Sequence, residues 1–552
     1  MIKQRVAELL RQAVKEAIEK ELLPAAAIPD VAVEHPQKPE HGDYASSLPL
    51  KLSRAMRKSP LVIAETLAGL IPACDEIEKV TVAHPGFVNI TLSGKWLASQ
   101  VEQVLSQKES FGDINLGDGQ KIQLEYVSVN PTGPIHVGHG RAAILGSALA
   151  NVLKSAGYDV SSEYYVNDAG NQMDAYYNSL YARYMQALGH DCEMPEDGYM
   201  GDYILDFAKQ IIEEKGDAYV SMPKDDALKA IGAVGVTKAI DAIKSDLKTL
   251  GIEFDVWFSE RSLFDSGQYD TAMDMLDKSN HTAEKEGAKW FMSTSLGEDK
   301  DNVLVRTNGT PTYFASDVAY HYNKLVLRGF DKAIDIWGAD HQGHVSRMKA
   351  VLTALGIDEQ RLHIIITQLV TLKRGKEIVR VSKRTGDLIT LRELIEEVGP
   401  DVCRFFFLMR SADSQMDFDM ELAVQQSNDN PVYYVQYAHA RIASILRLAA
   451  DKGIDYADGD VSLLTHEAEL SYIRKMLYLP EIIEQIASTH EPHHLTYFAQ
   501  EMATAFHSFY KQCRVVTDDA KTTASRLKLV AAAKTVFAKV LGLMGMTAPE
   551  TM

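Results

Sequence analysis

The spacing of apolar residues changes along the chain, and each change predicts a different kind of structure. The first segment, to about Asp118, opens on MIKQRVAELLRQAVKEAIEKELL, where apolar positions recur at helical spacing among charges. It continues through HPQKPEHGDYASSLPLKLSRAM, closes on the strand-like HPGFVNITLS, and is followed by the turn-rich linker SFGDINLGDGQ. Next comes KIQLEYVSV, Lys121–Val129, a β-rich run bounded by Asn-Pro that predicts a buried parallel strand. Ile144, Leu145, Leu149, Val152 and Leu153 follow at helical spacing, and YDVSSEYYVND predicts a second strand. This order makes a βαβ unit, the start of a doubly wound sheet. AIDIWGAD and HIIITQLVTL predict further strands, with VSRMKAVLTALGI a helix between them. Residues from about Ala175 to Lys300 are more polar and mostly helical in pattern, as if inserted between the two halves of the sheet. From Leu391 the helical period persists through LRELIEEVG, DVCRFFFLMR, NPVYYVQYAHARIASILRLAA and SRLKLVAAAKTVFAKVLGLM. The expected architecture is α/β plus all-α. A small α+β domain spans 1–118, a doubly wound parallel-sheet domain spans 119–390 with its helical insertion at about 175–300, and a helical region spans 391–552.

Length and charge narrow the setting. A chain of 552 residues exceeds one core, so three or four domains are expected. The N-terminal stretch lacks the long apolar core of a secretory signal, and no apolar run is long enough to span a bilayer. Cys74, Cys192, Cys403 and Cys513 stand alone, with no CxxC pair, which fits a reducing cytoplasm better than a zinc ribbon or a disulfide framework. The net charge of −19 disfavours promiscuous binding to nucleic acid but leaves room for a structured RNA that meets local basic patches. One such patch is Lys51, Arg54, Arg57 and Lys58; another runs from Lys373 to Arg384. Either is also what a solvated face looks like.

The chemistry concentrates in NPTGPIHVGHGR, Asn130–Arg141, directly after the first strand of the sheet. Ligands of open α/β sheets bind at the carboxyl ends of strands. Glycines let the backbone approach a ligand, and the N-terminus of the following helix suits an anion. His136 and His139 lie about one helical turn apart there and are placed to donate to phosphate oxygens. A metal would need more ligands; Asp168 is the available candidate, and no HExxH or second Cys/His pair supports it. No structural metal is expected.

HVGH after a strand and an Asn-Pro turn resembles the HIGH signature of class I aminoacyl-tRNA synthetases. Nucleotidylyltransferases carry similar short motifs. The further segments VNDAGNQMD, TPTYFASDVAYH, WGADHQGHVSRM and NPVYYVQYAHARI, with HGDYAS and HPGFVNI near the start, resemble in that order the arginyl-tRNA synthetases of bacterial type over essentially the whole chain.

That resemblance implies ligation of L-arginine to tRNA(Arg) through an arginyl-adenylate, with ATP and accompanying Mg2+, activation that waits for tRNA, and a cytoplasmic monomer. His136, Gly138 and His139 match the HIGH positions and would hold ATP. Arg380–Arg384 matches the second signature, KMSKS, in degenerate form; Ser382 and Lys383 are kept, and Lys383 would stabilise charge on the pyrophosphate. Lys373, Arg374 and Lys376 stand just upstream and could share that load. Tyr313 and Asp317 match the pair that reads the guanidinium, although Asp317 could instead cap the helix DVAYHYNK. His341 sits where some relatives have a substrate-contacting Gln, and Glu125, Ser128 and Asn130 match positions that take the amino group and carboxylate of arginine. The N-terminal domain resembles one that binds the tRNA elbow, with Tyr44 and Arg54 as candidates. The helical region resembles an anticodon-binding domain, where Tyr433, Tyr437 and Arg441 could stack on bases or simply be core. Rival readings are another class I synthetase and an RNA-binding paralogue without catalysis.

Overall fold

The central sheet has five parallel strands in the order Leu362–Thr367, Lys332–Gly338, Lys121–Glu125, Asp159–Val166 and Val256–Ser259. The computed structural model in which it is seen describes residues 1–379 and 389–552. Chain order reverses on either side of Lys121–Glu125, so the switch point of a doubly wound sheet lies at the carboxyl end of that strand. The expected α/β class with helical additions is the observed one.

Some elements differ from expectation for local reasons. The first strand stops at Glu125 and does not run on to Val129. Val127 (φ 74°) and Ser128 (φ 43°) adopt left-handed backbone, which cannot continue a strand. HIIITQLVTL is two strands. Leu362–Thr367 joins the parallel sheet, while Val370–Arg374 pairs with Glu377–Val379 and Met416–Asp419. The break falls at Gln368, whose N–H donates to the Ala412 carbonyl at 2.9 Å and whose carbonyl accepts from Arg141 at 3.0 Å. With both groups taken, the ladder stops there.

The insertion begins as three helices, Asn171–Ala187, Asp202–Lys215 and Lys224–Thr249, packed around Tyr176, Leu180, Ile204 and Ile231. It does not stay helical to Lys300. Val256–Ser259 returns to the central sheet, and Thr282–Lys285, Ala288–Phe291 and Asn302–Val305 form an antiparallel sheet. Strands of four residues hold too few alternating positions to stand out in the sequence.

The N-terminal region is an antiparallel sheet, with Phe87–Leu92 between Tyr44–Ser46 and Ile77–Ala83, covered by helices. It meets the C-terminal helices through Glu481, which accepts from the Tyr44 hydroxyl at 2.6 Å and pairs with His35 at 3.0 Å. Helix Val137–Ser155 lies almost entirely buried at the centre. Its Arg141 donates to the carbonyls of Gln368, Ser411 and Ser414, at 2.7–3.0 Å. Arg404 ties Ser147 of the same helix to the Leu250 and Met544 carbonyls. Both guanidinium groups are buried and act as cross-links between backbone segments.

Two glycines of this helix have opposite surroundings. A Cβ on Gly146 would stand 2.3 Å from the Tyr126 ring, whereas one on Gly138 would meet nothing within 4 Å. Gly146→Ala should therefore destabilise the protein by about 1–3 kcal/mol, as overpacking does. Gly138→Ala should be neutral or stabilising by up to about 1 kcal/mol, the helix-propensity gain. Thermal unfolding of the two variants checks this; equal midpoints would contradict the packing described.

Candidate active site

Level with the carboxyl end of Lys121–Glu125, three acids stand in one row across the central strands. Asp335 is in register with Glu125, and Glu125 with Glu163, across three neighbouring strands. All are buried. Like charges so placed destabilise a sheet unless countered. The counter-charges come from one element, helix Tyr313–Tyr322 and the π-helical turn Asn323–Leu327 that extends it. Lys324 Nζ reaches Glu125 Oε2 at 2.6 Å and Asp335 Oδ1 at 2.7 Å. Arg328 grips both oxygens of Glu163, at 2.8 and 2.5 Å, and the Tyr320 hydroxyl donates to Glu163 at 2.5 Å. His321 meets the Asp317 carbonyl through Nδ1 and Asp335 through Nε2, both at 2.8 Å. Burial works to raise Asp335, but Lys324 and then His321 outweigh it and hold the carboxyl at about 2.

Above this layer opens a cavity of about 520 Å³. It gathers Glu125, Ser128, Asn130, Tyr313, Asp317 and His341, the six residues expected to bind one small molecule. Ser128 donates to Glu125 at 2.8 Å, and Asn130 bonds Gln172. Tyr313 is 46% exposed at the rim, and His341 is exposed beside Asp340. Asp317 does not cap its helix. The helix starts at Tyr313, and its cap is Thr312, which accepts from the Ala315 N–H. Asp317 lies one turn inside, facing the cavity.

Glu260 is a further acid in the cavity wall, and nothing in its local sequence announced it. It is buried, and its Oε2 has no hydrogen-bond partner among the described residues. Burial pushes its carboxyl up to about 7, against a bond from Ser316, with the charge of Asp168 adding to the rise. Burial also pushes Asp317 up to about 7, opposed chiefly by His321, while Glu125 and Glu260 push the same way as burial. No ion pair among the described residues reaches either acid.

The histidine turn adjoins the cavity. His136 is the first, extended residue before helix Val137–Ser155, and His139 lies in its first turn, the rings 6.1 Å apart. Burial, then the charge of His136, lowers His139 to about 4, with Asp340 of the cavity wall pulling the other way. His139 is therefore a neutral imidazole at neutral pH, with Nδ1 buried and unpartnered among the described residues. His136 pairs through its backbone with Thr390, and Leu391 N–H donates to the Ile135 carbonyl at 2.8 Å. Ser382 and Lys383 lie outside the described residues. Asp168, the candidate metal ligand, is occupied by Ser259 Oγ at 2.6 Å and the Arg261 N–H at 3.0 Å.

The expected RNA contacts divide. Tyr44 is buried with its hydroxyl on Glu481, so it joins domains and offers nothing to RNA. Lys51, Arg54, Arg57 and Lys58 are all exposed. Tyr433 and Tyr437 stack at 5.9 Å, His507 stacks on Tyr437, and the exposed Arg441 lies over Tyr510 at 5.2 Å. They form a partly open aromatic and cationic ribbon on the C-terminal helices.

A doubly wound sheet with a histidine turn at its switch point, joined to a C-terminal helical domain, is the architecture of a class I aminoacyl-tRNA synthetase. Family descriptions match in sequence: "Arginyl tRNA synthetase N terminal domain" over residues 6–92, "tRNA synthetases class I (R), catalytic domain" over 100–404, and "DALR anticodon binding domain" over 435–552. The chain belongs to the arginyl-tRNA synthetase family. It is 57% identical to an arginine–tRNA ligase of Dehalococcoides mccartyi, over 100% of this chain and 99% of that one. It is 47% identical to that of Caldanaerobacter subterraneus, with the same coverage. In fold it resembles the Thermus thermophilus arginyl-tRNA synthetase, with a TM-score of 0.79 at 22% identity over the full length of both.

The raised carboxyl of Asp317 has a consequence for stability. Its folded value, about 7, lies above that of an unfolded aspartate, so folding holds a proton that the unfolded chain releases. Stability is lost as pH rises from about 4 to about 7 on this account. Asp317→Asn should be about as stable as the parent at pH 4 and more stable at pH 7.5. Denaturant melts at the two values check it, and a variant less stable at pH 7.5 would contradict it.

Proposed function

We propose that the protein ligates L-arginine to tRNA(Arg) using ATP, through an arginyl-adenylate held in the cavity. The pair of acids without counter-ions, Asp317 and Glu260, carries this reading. A guanidinium presents planar donors in a fork that suits such a pair, which a lysine's point charge does not. Tyr313 stands at the rim over the same end. At the other end Glu125 faces the α-ammonium, with Ser128 and Asn130 beside the substrate carboxylate and His341 at the mouth.

The carboxylate of arginine attacks the α-phosphorus of ATP, and the bond to pyrophosphate breaks. His139, being neutral, donates a hydrogen bond to the charge developing on phosphate; it is not a proton source. His136 and the N-terminus of helix Val137–Ser155 act alongside it. Gly138 leaves that face of the helix open to the nucleotide. The bridge from Thr390 to His136 supports a place for Ser382 and Lys383 in the same step, because Thr390 follows them closely in sequence. Mg2+ arrives with ATP as part of the substrate. The terminal ribose hydroxyl of the tRNA then attacks the arginyl carbonyl, and AMP leaves.

The exposed Lys51–Lys58 cations, Arg54 among them, suit the RNA backbone, and the Tyr433, Tyr437 and Arg441 ribbon suits unpaired bases. The four free cysteines agree with a cytoplasmic setting, and no helix among the described residues is long and apolar enough to cross a membrane. The chain is taken to work as a monomer.

Charging total tRNA with each amino acid in turn tests the reading: arginine should be transferred best, and better transfer of another amino acid would sink it. Without tRNA, arginine-dependent exchange of pyrophosphate into ATP should be slight. His139→Ala should lower kcat by the equivalent of about 2–4 kcal/mol, the range for a lost charge-stabilising donor, with little change in arginine affinity. An unchanged kcat would remove His139 from the step.

A further inference from the structure

Lys324 is fully buried and is not among the residues that line the cavity. Its ammonium is used up inside the protein: it donates to Glu125 Oε2 at 2.6 Å and Asp335 Oδ1 at 2.7 Å, and it lies 4.2 Å from the centre of the Tyr320 ring. Lys324 therefore acts on its neighbours and never on a ligand. Of those neighbours Glu125 and Tyr320 line the cavity, and Glu125 is the one with a carboxylate, gripped from both sides. Its other oxygen, Oε1, accepts from Ser128 Oγ at 2.8 Å, and Ser128 Oγ in turn accepts from the Tyr165 N–H at 3.1 Å. The left-handed backbone at Val127 and Ser128 is what returns the serine hydroxyl to the strand end. The π-turn Asn323–Leu327 brings the lysine to it from the opposite side.

We infer that Lys324 is a positioning residue for the α-amino group of the substrate: clamped between Glu125 and Asp335, it fixes the Glu125 carboxylate in the orientation that presents its free lone pairs to the cavity. Each carboxylate oxygen has two acceptor sites and has given one to the protein. A primary ammonium entering from the cavity can take what remains. The second role of Lys324 is charge. Burial pushes the Glu125 carboxyl up and Asp335 beside it adds to the rise, while Lys324 is the leading influence holding it down. Removal of the lysine leaves Glu125 with weaker reason to carry the charge an ammonium needs.

The inference rests on the assignment of Glu125 to the α-amino group, and two ligands separate the two ideas. L-Arginine has the ammonium; 5-guanidinopentanoic acid is the same molecule without it. Binding of both is measured by calorimetry on the full chain, for the parent, Glu125→Gln, Lys324→Met and Lys324→Gln. The glutamine variant keeps donors in the buried slot, so it reads the same comparison if the methionine variant does not fold. Both lysine variants should bind arginine about 10- to 100-fold more weakly, the range for a charge-assisted hydrogen bond. They should bind the desamino compound within about 3-fold of the parent, a split that general loosening of the site would not produce. Equal losses for the two ligands in the lysine variants, with Glu125→Gln still losing arginine far more than the desamino compound, overturn the positioning role and leave the Glu125 assignment standing. Equal losses in Glu125→Gln overturn both.

Discussion

Three carboxylates in register across three parallel strands are the constraint on which the rest of this site depends. Asp335, Glu125 and Glu163 lie side by side and buried, so each needs a cation within contact distance. One helix, its π-turn and the residue that follows supply the partners: Lys324 between Glu125 and Asp335, Arg328 on Glu163, and the His321 ring on Asp335. Together these bonds lock the helix to the sheet at one rotation and one height. That lock in turn decides which residues of the helix face the cavity. Tyr313 and Asp317, about two turns and one turn ahead of His321, have no freedom to be elsewhere.

Charge balance below makes charge imbalance above. Asp317 and Glu260 share the cavity wall after the helix has committed its cations to the sheet. Burial raises both to about 7, so the empty site holds protons that a guanidinium would displace. On the proposed function the imbalance would select substrate: a neutral side chain gains nothing from ionising those acids, and a cation of the wrong shape leaves one of them unpaired. On the nucleotide side the logic is reversed. His139 is held neutral by burial and by His136, so in the proposed step it would serve phosphate as a hydrogen-bond donor and not as a cation.

Much of this was legible in the sequence. KIQLEYVSV followed by a glycine-rich turn and an apolar helix located the sheet and its switch point, because strand, turn and helix signals there are local. Tyr313, Asp317, Glu125, Ser128, Asn130 and His341 were identified through family motifs and do meet in one cavity. Glu260 was not legible: it reaches the cavity through the return of Val256–Ser259 to the sheet edge, a pairing four residues long. Lys324 left a signal that went unread. The helix around it has buried residues on all sides, and a lysine and a histidine in such a helix require partners. Tyr44 misled in the opposite sense. Its polar neighbourhood, HGDYAS, reads as surface, whereas tertiary packing closes the C-terminal helices over it.

On the proposed function arginine enters a site whose two spare acids, Asp317 and Glu260, are largely protonated and ionise on contact with the guanidinium. Calorimetric titration of the full chain with arginine, repeated in buffers of different ionisation enthalpy, counts the protons exchanged. At about pH 6 binding should release about one to two protons, and the release should fade as pH rises to about 8, where both acids are already charged. No proton release at about pH 6, or uptake across this range, would contradict the account.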